Sequence, residues 1–228
     1  MYFIDQAIMK IPEDNFKHQG LRKKLIEQVR AKGIEDKQIL NAMIKVPRHF
    51  FFERAFLAQA YSDHAFKIGA GQTISQPYTV AFQTSLLNVE RGDKILEIGT
   101  GSGYQTCILM ELGAKVFSIE RQKELYDRSK KFLPLIGYHP KLFYGDGYAG
   151  LPTFAPFDKV LITCGAPSIP DELLKQMKVG GIMVVPVGAG NVQVMTTVIK
   201  TSESSFEKHE LNEFRFVPML ENREWGTK

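Results

Sequence analysis

The chain has 228 residues, a length that suits one domain, or one domain with a small addition, and argues against two full domains. Hydrophobic residues make up 44% of the sequence and charged residues 24%, which excludes a largely disordered chain because enough apolar surface is available for a core. The 29 Lys and Arg residues exceed the 25 Asp and Glu residues by only four, and this excess is spread along the chain, which argues against nucleic-acid binding.

Two amphipathic helices are predicted near the N-terminus. Apolar residues recur at helical spacing in residues 19–32, and Gly33 follows where a helix would stop. A second apolar set with the same period occupies residues 39–46 and ends before Pro47, which disfavours a continuing helix. We therefore expect residues 1–58 to form a helical cap. Residues 59–77 lose the periodicity and gain glycine, so we expect a loop there.

A repeating pattern of strands and helices follows the loop. Helical residues 77–87 precede a strand-like run at 94–98, and further strands are predicted at 116–119, 141–144, 159–163 and 182–187. Strands that alternate with helices indicate an α/β fold with a doubly wound, mostly parallel, Rossmann-like sheet. Residues 192–217 instead contain two strands joined by a polar turn. They predict a C-terminal antiparallel hairpin at the sheet edge.

The sequence carries no sign of export or membrane insertion. The charge-free residues 179–191 contain glycines and a proline, whereas a spanning helix needs about 20 mostly apolar residues. The first residues lack the basic and apolar regions of a secretion signal. Only two cysteines occur, Cys107 and Cys164, which does not indicate a disulfide framework. We expect a cytoplasmic monomer that needs no metal and contacts no membrane.

Three glycines, Gly99, Gly101 and Gly103, lie between a predicted strand and a predicted helix. Glycines there let the chain turn without side-chain clashes and let a ligand approach the backbone. A dinucleotide fingerprint requires its third glycine at position 104, which is Tyr104 here. A P-loop requires Gly-Lys followed by Ser or Thr, and Gly103 is followed by Tyr104 and Gln105. The spacing therefore disfavours both hydride transfer and phosphate transfer.

Acidic residues lie at or near the ends of three successive predicted strands. Glu97 lies inside the first strand, where a carboxylate is costly unless a polar or cationic group meets it. Glu120 ends the second strand and Asp146 follows the third. S-adenosylmethionine suits this arrangement, because it offers an ammonium, a sulfonium, ribose hydroxyls and an adenine amino group. The alternative is that the glycines and acids mark any nucleotide-binding sheet.

Two segments resemble the protein-L-isoaspartate (D-aspartate) O-methyltransferase family. The run Leu96-Glu97-Ile98-Gly99-Thr100-Gly101-Ser102-Gly103-Tyr104-Gln105-Thr106 resembles the first motif of that family. The run Gly71-Gln72-Thr73-Ile74-Ser75-Gln76-Pro77 is similar to its hallmark loop, which methyltransferases in general do not share. Shorter matches include Val46-Pro47-Arg48-His49-Phe50 and Tyr61-Ser62-Asp63. The resemblance covers roughly residues 20–221.

The resemblance implies a class I methyltransferase that repairs damaged proteins. Such an enzyme moves a methyl group from S-adenosylmethionine to the free carboxylate of L-isoaspartyl residues, with D-aspartyl residues as a further candidate. Because the sequence contains no internal repeat and no low-complexity linker, we expect a single domain, with a helical cap (1–58), an active-site loop (59–77) and a cofactor-binding sheet (78–228). The implied catalytic residue is Ser75. The implied cofactor-binding residues are Gln76, Glu97, Gly99, Thr100, Gly101, Glu120, Asp146 and Gly147.

This reaction needs no general base. A carboxylate with a pKa of about 4 is already ionised at neutral pH and can attack the methyl group directly in line. The protein then has to align the reacting atoms and exclude water, and Ser75 can orient the carboxylate by one hydrogen bond. A second interpretation of Ser75 stays open, because a serine before Pro77 can cap a helix.

Other polar residues near the predicted loops receive no catalytic role. We expect structural roles for His49, His64 and Cys164. Asp63 either contacts the substrate or caps a turn, and the sequence leaves that choice open.

Two alternatives to the repair reaction stay open. One is another class I methyltransferase, although a base-modifying enzyme would carry Pro-Pro-aromatic where this chain has Thr163-Cys164-Gly165-Ala166-Pro167. The other is a non-catalytic S-adenosylmethionine-binding module. Such a module would show a broken glycine loop or a lost Ser75, and this sequence retains both features.

Overall fold

The computed structural model describes residues 11–222, and these begin with the helical cap predicted from the sequence. The cap contains helices α1 (Phe16–Ala31) and α2 (Lys37–Lys45), followed by two short 3-10 turns. The side chain of Asp36 accepts hydrogen bonds from the first backbone amides of α2, as an N-cap residue should. Residues 1–10 of the predicted cap lie outside the described residues.

A central sheet follows the cap. Its strands are β3 (Lys94–Ile98), β4 (Lys115–Glu120), β5 (Lys141–Tyr144), β6 (Phe157–Ile162), β7 (Met177–Val187), β8 (Gln193–Lys200) and β9 (Phe206–Phe214), while β1 (Phe66–Gly69) and β2 (Gln72–Ile74) form a separate small sheet. Within residues 11–222 the strand order of the central sheet is β5-β4-β3-β6-β7-β8-β9. The strands from β5 to β7 are parallel, and β8 and β9 are antiparallel. The predicted α/β sheet with an antiparallel hairpin is therefore confirmed.

Helices connect most of the strands. They are α3 (Pro77–Leu87), α4 (Tyr104–Glu111), α5 (Lys123–Leu135) and α6 (Asp171–Lys175). Pro77 is the first residue of α3, where its fixed backbone angle suits a helix start and its missing N–H has no cost. No helix among residues 11–222 has the length and apolar character that a membrane span requires.

The core lies on both faces of the sheet. In β3, Leu96 belongs to one cluster of buried side chains and its neighbour Ile95 to another, because alternate residues of a strand point to opposite faces. Both side chains are completely buried. This two-sided burial explains why β3 appears in the sequence as a nearly continuous apolar run.

The predicted loop at residues 59–77 is wrong in part, because it contains the antiparallel hairpin of β1 and β2. Gly69, Ala70 and Gly71 all have positive φ angles, between 48° and 96°, and they reverse the chain. The two strands have only four and three residues, which is too short for alternation to appear in the sequence. The glycines that suggested a loop form the turn of this hairpin.

Candidate functional site

A pocket lies at the carboxyl ends of β3 and β6, the neighbouring strands at which the strand order of the sheet reverses. Ligands of open α/β sheets bind at such a position, and we call this one the switch-point pocket. Its walls come from β2, from the loops after β3, β5 and β6, from the end of β4 and from residues 217–220. The sequence-predicted site residues among its lining are Ser75, Gly99, Thr100, Gly101, Glu120 and Gly147.

The glycine loop after β3 forms one wall of the pocket. Gly99 has a φ of +95°, and a Cβ atom there would lie only 2.6 Å from the Thr163 hydroxyl oxygen. That hydroxyl in turn donates to the carbonyl oxygen of Gly99 at 2.8 Å. The backbone amides of Gly99 and Thr100 both donate to the carbonyl of Ile119 at the end of β4. The loop therefore has one fixed conformation, and glycine is required at position 99.

Glu120 ties this loop to β4. One carboxylate oxygen accepts from the amide of Gly101 at 2.8 Å, and the other accepts from the amide of Gln122 at the same distance. Burial raises the pKa of Glu120 above its ordinary value, although these backbone amides oppose the shift. A carboxylate offers about four acceptor positions and the backbone amides of Gly101, Arg121 and Gln122 use three, so Glu120 can still accept from a hydroxyl group of a ligand in the pocket.

Glu97 lies beneath the pocket and does not line it. Its side chain is completely buried, and one oxygen accepts from the Thr106 hydroxyl at 2.5 Å. The other oxygen has no hydrogen-bond partner among residues 11–222. Burial raises the pKa of Glu97 to about 7. The geometry thus gives no support to direct contact between Glu97 and a cationic ligand, because the carboxylate is completely buried and does not line the pocket.

Asp146 and Gly147, which were both predicted to bind the cofactor, differ in their position relative to the pocket. Gly147 lines the switch-point pocket, whereas Asp146 is not part of its lining. One carboxylate oxygen of Asp146 accepts from the amide of Tyr148 and the other from the amide of Asn222. Asp146 therefore fastens the segment that follows β9, and the predicted contact with adenine stays a prediction.

Ser75 lies where the pocket meets a second depression, which we call the adjoining groove. The residues that line both are Thr73, Ser75, Thr163 and Val217. The Ser75 hydroxyl makes no hydrogen bond to any residue in the range 11–222, so it is available to a ligand. Gln76 lines the groove but not the pocket. Of the two predicted residues of this loop, only Ser75 faces both spaces.

The interpretation of Ser75 as a helix cap is wrong. The N-cap residue of α3 is Gln76, and its side chain makes no capping hydrogen bond. The capping carboxylate comes from Asp63, which accepts from the amide of Tyr78 at 2.8 Å. Asp63 therefore caps the first turn of α3, and capping a turn is one of the two roles left open for it. Asp63 and Tyr78 are 15 residues apart in the chain.

Sequence reasoning missed two parts of the pocket. Thr163 lies directly behind the glycine loop. Its position after β6 could have indicated this, because the carboxyl ends of neighbouring parallel strands meet at one edge of the sheet. Residues 217–220 close the opposite wall. An isolated bridge between Gly165 and Pro218 holds them there. No local pattern marks this long-range contact.

His49 and Cys164, neither of which was predicted to be catalytic, lie in surroundings that lower their reactivity. The His49 ring is completely buried, stacks on His18 at 3.9 Å between ring centroids and contacts the Tyr61 hydroxyl. Burial lowers the pKa of His49 to about 4. Cys164 lines the pocket, and burial raises the pKa of its thiol to about 12, so the thiol is neutral and a poor nucleophile.

Comparison with known proteins gives one consistent result. The family model described as protein-L-isoaspartate(D-aspartate) O-methyltransferase matches residues 20–224. Curated proteins named protein-L-isoaspartate O-methyltransferase from Christiangramia forsetii and Flavobacterium psychrophilum are 54% and 56% identical, and each match covers 92% of this chain and 99% of the relative. A crystal structure from Plasmodium falciparum, described as this type of methyltransferase in complex with S-adenosyl-L-homocysteine, is 25% identical. That match covers 88% of this chain and 99% of the other, with a TM-score of 0.77.

Proposed function

Because the chain belongs to the protein-L-isoaspartate(D-aspartate) O-methyltransferase family, we propose that the switch-point pocket and the adjoining groove carry out the family's reaction together. The enzyme transfers a methyl group from S-adenosylmethionine to the free carboxylate of an isoaspartyl residue. The observation that carries the proposal is that Ser75 lines both spaces with a free hydroxyl. One space can hold the methyl donor and the other a peptide.

The residues of the pocket fit S-adenosylmethionine. The glycine loop leaves room for a ligand against the backbone, and Glu120 keeps acceptor capacity for ribose hydroxyls. When bound, this cofactor supplies a methyl group on a positively charged sulfur. In this proposal Gly99, Thr100 and Gly101 would hold its methionine end, Glu120 its ribose and Gly147 its adenine, since all five residues line the pocket.

The groove suits an extended peptide. It runs along the segment after β9, and its charged lining residues carry both signs, namely Lys32, Glu213 and Arg215. The carboxylate of the isoaspartyl residue is ionised at neutral pH, so this chain needs only to orient it and exclude water. Proteins and peptides that contain isoaspartyl residues are the substrates. The monomeric state, the cytoplasmic location and the absence of nucleic-acid binding stay predictions.

A peptide pair tests this function. We expect label from methyl-labelled S-adenosylmethionine to enter an isoaspartyl peptide and not its aspartyl twin of the same sequence. The label should be released by mild base, because a methyl ester closes to a succinimide. A protein that binds the donor but labels neither peptide would be the non-catalytic module. Label on the aspartyl peptide alone would indicate another methyltransferase.

Two substitutions distinguish the roles of Glu97 and Glu120 in cofactor binding. Glu120→Gln places an NH₂ group against a backbone N–H, so affinity for S-adenosylhomocysteine should fall about tenfold or more. Glu97→Gln lies outside the pocket lining and should change this affinity by less than about threefold. Isothermal titration calorimetry measures both. An equal loss in the two variants would show that Glu97 does contact the cofactor.

A further inference from the structure

We propose that Arg48 and Asp63 are positioning residues for methyl transfer, which hold the turn bearing Ser75 from two sides. This inference rests on the proposed function of Ser75. Both residues come from short motifs of the sequence, Val46-Pro47-Arg48-His49-Phe50 and Tyr61-Ser62-Asp63, that the reaction itself does not use. Together with the turn at residues 75–78 they form what we call the Ser75 clamp.

Asp63 holds the C-terminal side of the turn. Its carboxylate accepts from the backbone amide of Tyr78 at 2.8 Å and from the side-chain amide of Gln76 at 3.1 Å. Lys32 donates to the same carboxylate at 2.6 Å, and only 8% of the Asp63 side chain is exposed. Burial alone would raise the pKa of Asp63, but the hydrogen bonds from these three partners hold it below its ordinary value. The carboxylate is therefore a fixed, charged anchor for the first turn of α3.

Arg48 holds the N-terminal side of the turn. Its guanidinium donates to the backbone carbonyl of Ser75 at 2.9 Å. The group is fully buried between two rings, with the carbon of the guanidinium 4.9 Å from the centre of the Tyr104 ring and 5.5 Å from that of Phe52. Burial lowers the pKa of Arg48 to about 10, so the group is still charged at neutral pH. A buried cation thus contacts the backbone of the residue that we assign to catalysis.

Arg48 is a costly way to fill this space. Its Nε and Nη1 atoms have no hydrogen-bond partner among residues 11–222, and no carboxylate in that range forms an ion pair with it. An apolar side chain of similar volume would fill the same space at lower cost, so a buried charge is weak evidence for a role in stability. What the arginine supplies and an apolar residue cannot is the hydrogen bond to the Ser75 carbonyl. Tyr104, one of the two rings that pack against the guanidinium of Arg48, also lines the switch-point pocket.

The clamp leaves the reacting end of Ser75 free. Arg48 holds its carbonyl and Asp63 holds the residues that follow, while the hydroxyl has no partner among residues 11–222. Such an arrangement fixes the position of the hydroxyl relative to the pocket without blocking it. Because a displacement of about 1 Å in a reacting geometry can cost about a hundredfold in rate, fixing this turn has a kinetic value.

The test is a double-mutant cycle with Ser75→Ala. We expect Asp63→Asn and Arg48→Met each to lower kcat about tenfold or more, with affinity for S-adenosylhomocysteine within about threefold of the parent. In the Ser75→Ala background either change should lower kcat by less than about threefold, because the clamp acts through the serine. Arg48→Lys, which restores a donor, should recover part of the kcat lost in Arg48→Met.

Asp14→Asn is the matched control. Asp14 forms a similar ion pair, with Arg22 at 2.8 Å, and Arg22 also donates to the hydroxyl of Tyr61, two residues before Asp63. The hydrogen bonds of the Asp14 carboxylate come from Arg22 and not from the turn. Its replacement should lower the melting temperature and leave kcat unchanged. Two outcomes would contradict the proposed clamp. One is that the loss of kcat in each clamp variant multiplies with the loss in Ser75→Ala, and the other is that kcat falls in parallel with the melting temperature in all variants, including Asp14→Asn. If Ser75→Ala alone leaves kcat unchanged, the proposed role of Ser75 fails first.

Discussion

Replacing Ser75 by alanine lowers kcat about 10- to 100-fold and leaves affinity for S-adenosylhomocysteine within about twofold. The expected loss corresponds to one hydrogen bond to a charged group, about 1.5–3 kcal/mol. The half-buried hydroxyl has no hydrogen-bond partner in the range 11–222, so its removal breaks no hydrogen bond within that part of the chain. The serine also does not cap α3, whose capping carboxylate is Asp63. Folding stability should therefore be nearly unchanged.

Steady-state kinetics on an isoaspartyl peptide and calorimetry with S-adenosylhomocysteine measure the two effects. Ser204→Ala serves as the control, because Ser204 is exposed in the turn between β8 and β9 and lines neither the switch-point pocket nor the adjoining groove. It should match the parent in both measurements. An equal loss of cofactor affinity and turnover in Ser75→Ala would contradict a role in orienting the substrate.

Replacing Gly99 by alanine abolishes tight cofactor binding and destabilises the fold by about 3 kcal/mol. A φ of +95° costs a residue with a side chain about 1–2 kcal/mol, and the clash of Cβ with Thr163 adds about 1–3 kcal/mol. To relieve the clash, Thr163 has to give up its hydrogen bonds to the carbonyls of Ile98 and Gly99. The glycine loop then loses its fixed conformation at the wall of the pocket.

Gly92→Ala separates backbone strain from the clash. Gly92 precedes the opposite end of β3, has a φ of +96° and would have no atom within 4 Å of an added Cβ. This variant should lose about 1–2 kcal/mol of stability and keep its affinity for S-adenosylhomocysteine. Chemical denaturation and calorimetry on the two alanine variants give the comparison. Equal cofactor affinity in Gly99→Ala and Gly92→Ala would show that the loop after β3 is not the cofactor cradle.

The parallel sheet could be predicted because its strands are buried on both faces. The run from Ile95 to Ile98 is apolar apart from Glu97, and the glycines after it mark the turn to α4. The hairpin of β1 and β2 could not be predicted in this way. Its strands are too short for a period to appear, and their pairing depends on three successive positive φ angles, one of them at Ala70.

The site was predictable where a residue ends a strand or directly follows one. Gly99 and Glu120 satisfy that rule and line the pocket. Glu97 does not line the pocket. The sequence shows that a carboxylate inside a strand is costly, but it does not show that the hydroxyl of Thr106, nine residues later, donates to this carboxylate. Asp146 is bound by the amide of Asn222, 76 residues away in the chain. Contacts of this kind depend on the completed fold and leave no local signal.

The far wall of the switch-point pocket has a consequence for synthesis of the protein. The residues of β2 that line the pocket leave the ribosome early, whereas residues 217–220, which form the opposite wall, follow the last strand of the sheet. A growing chain can therefore assemble its cap and most of its sheet while the cofactor site still lacks a side. We therefore expect that nascent chains do not retain the methyl donor and that the site is complete only after residues 217–220 have left the ribosome.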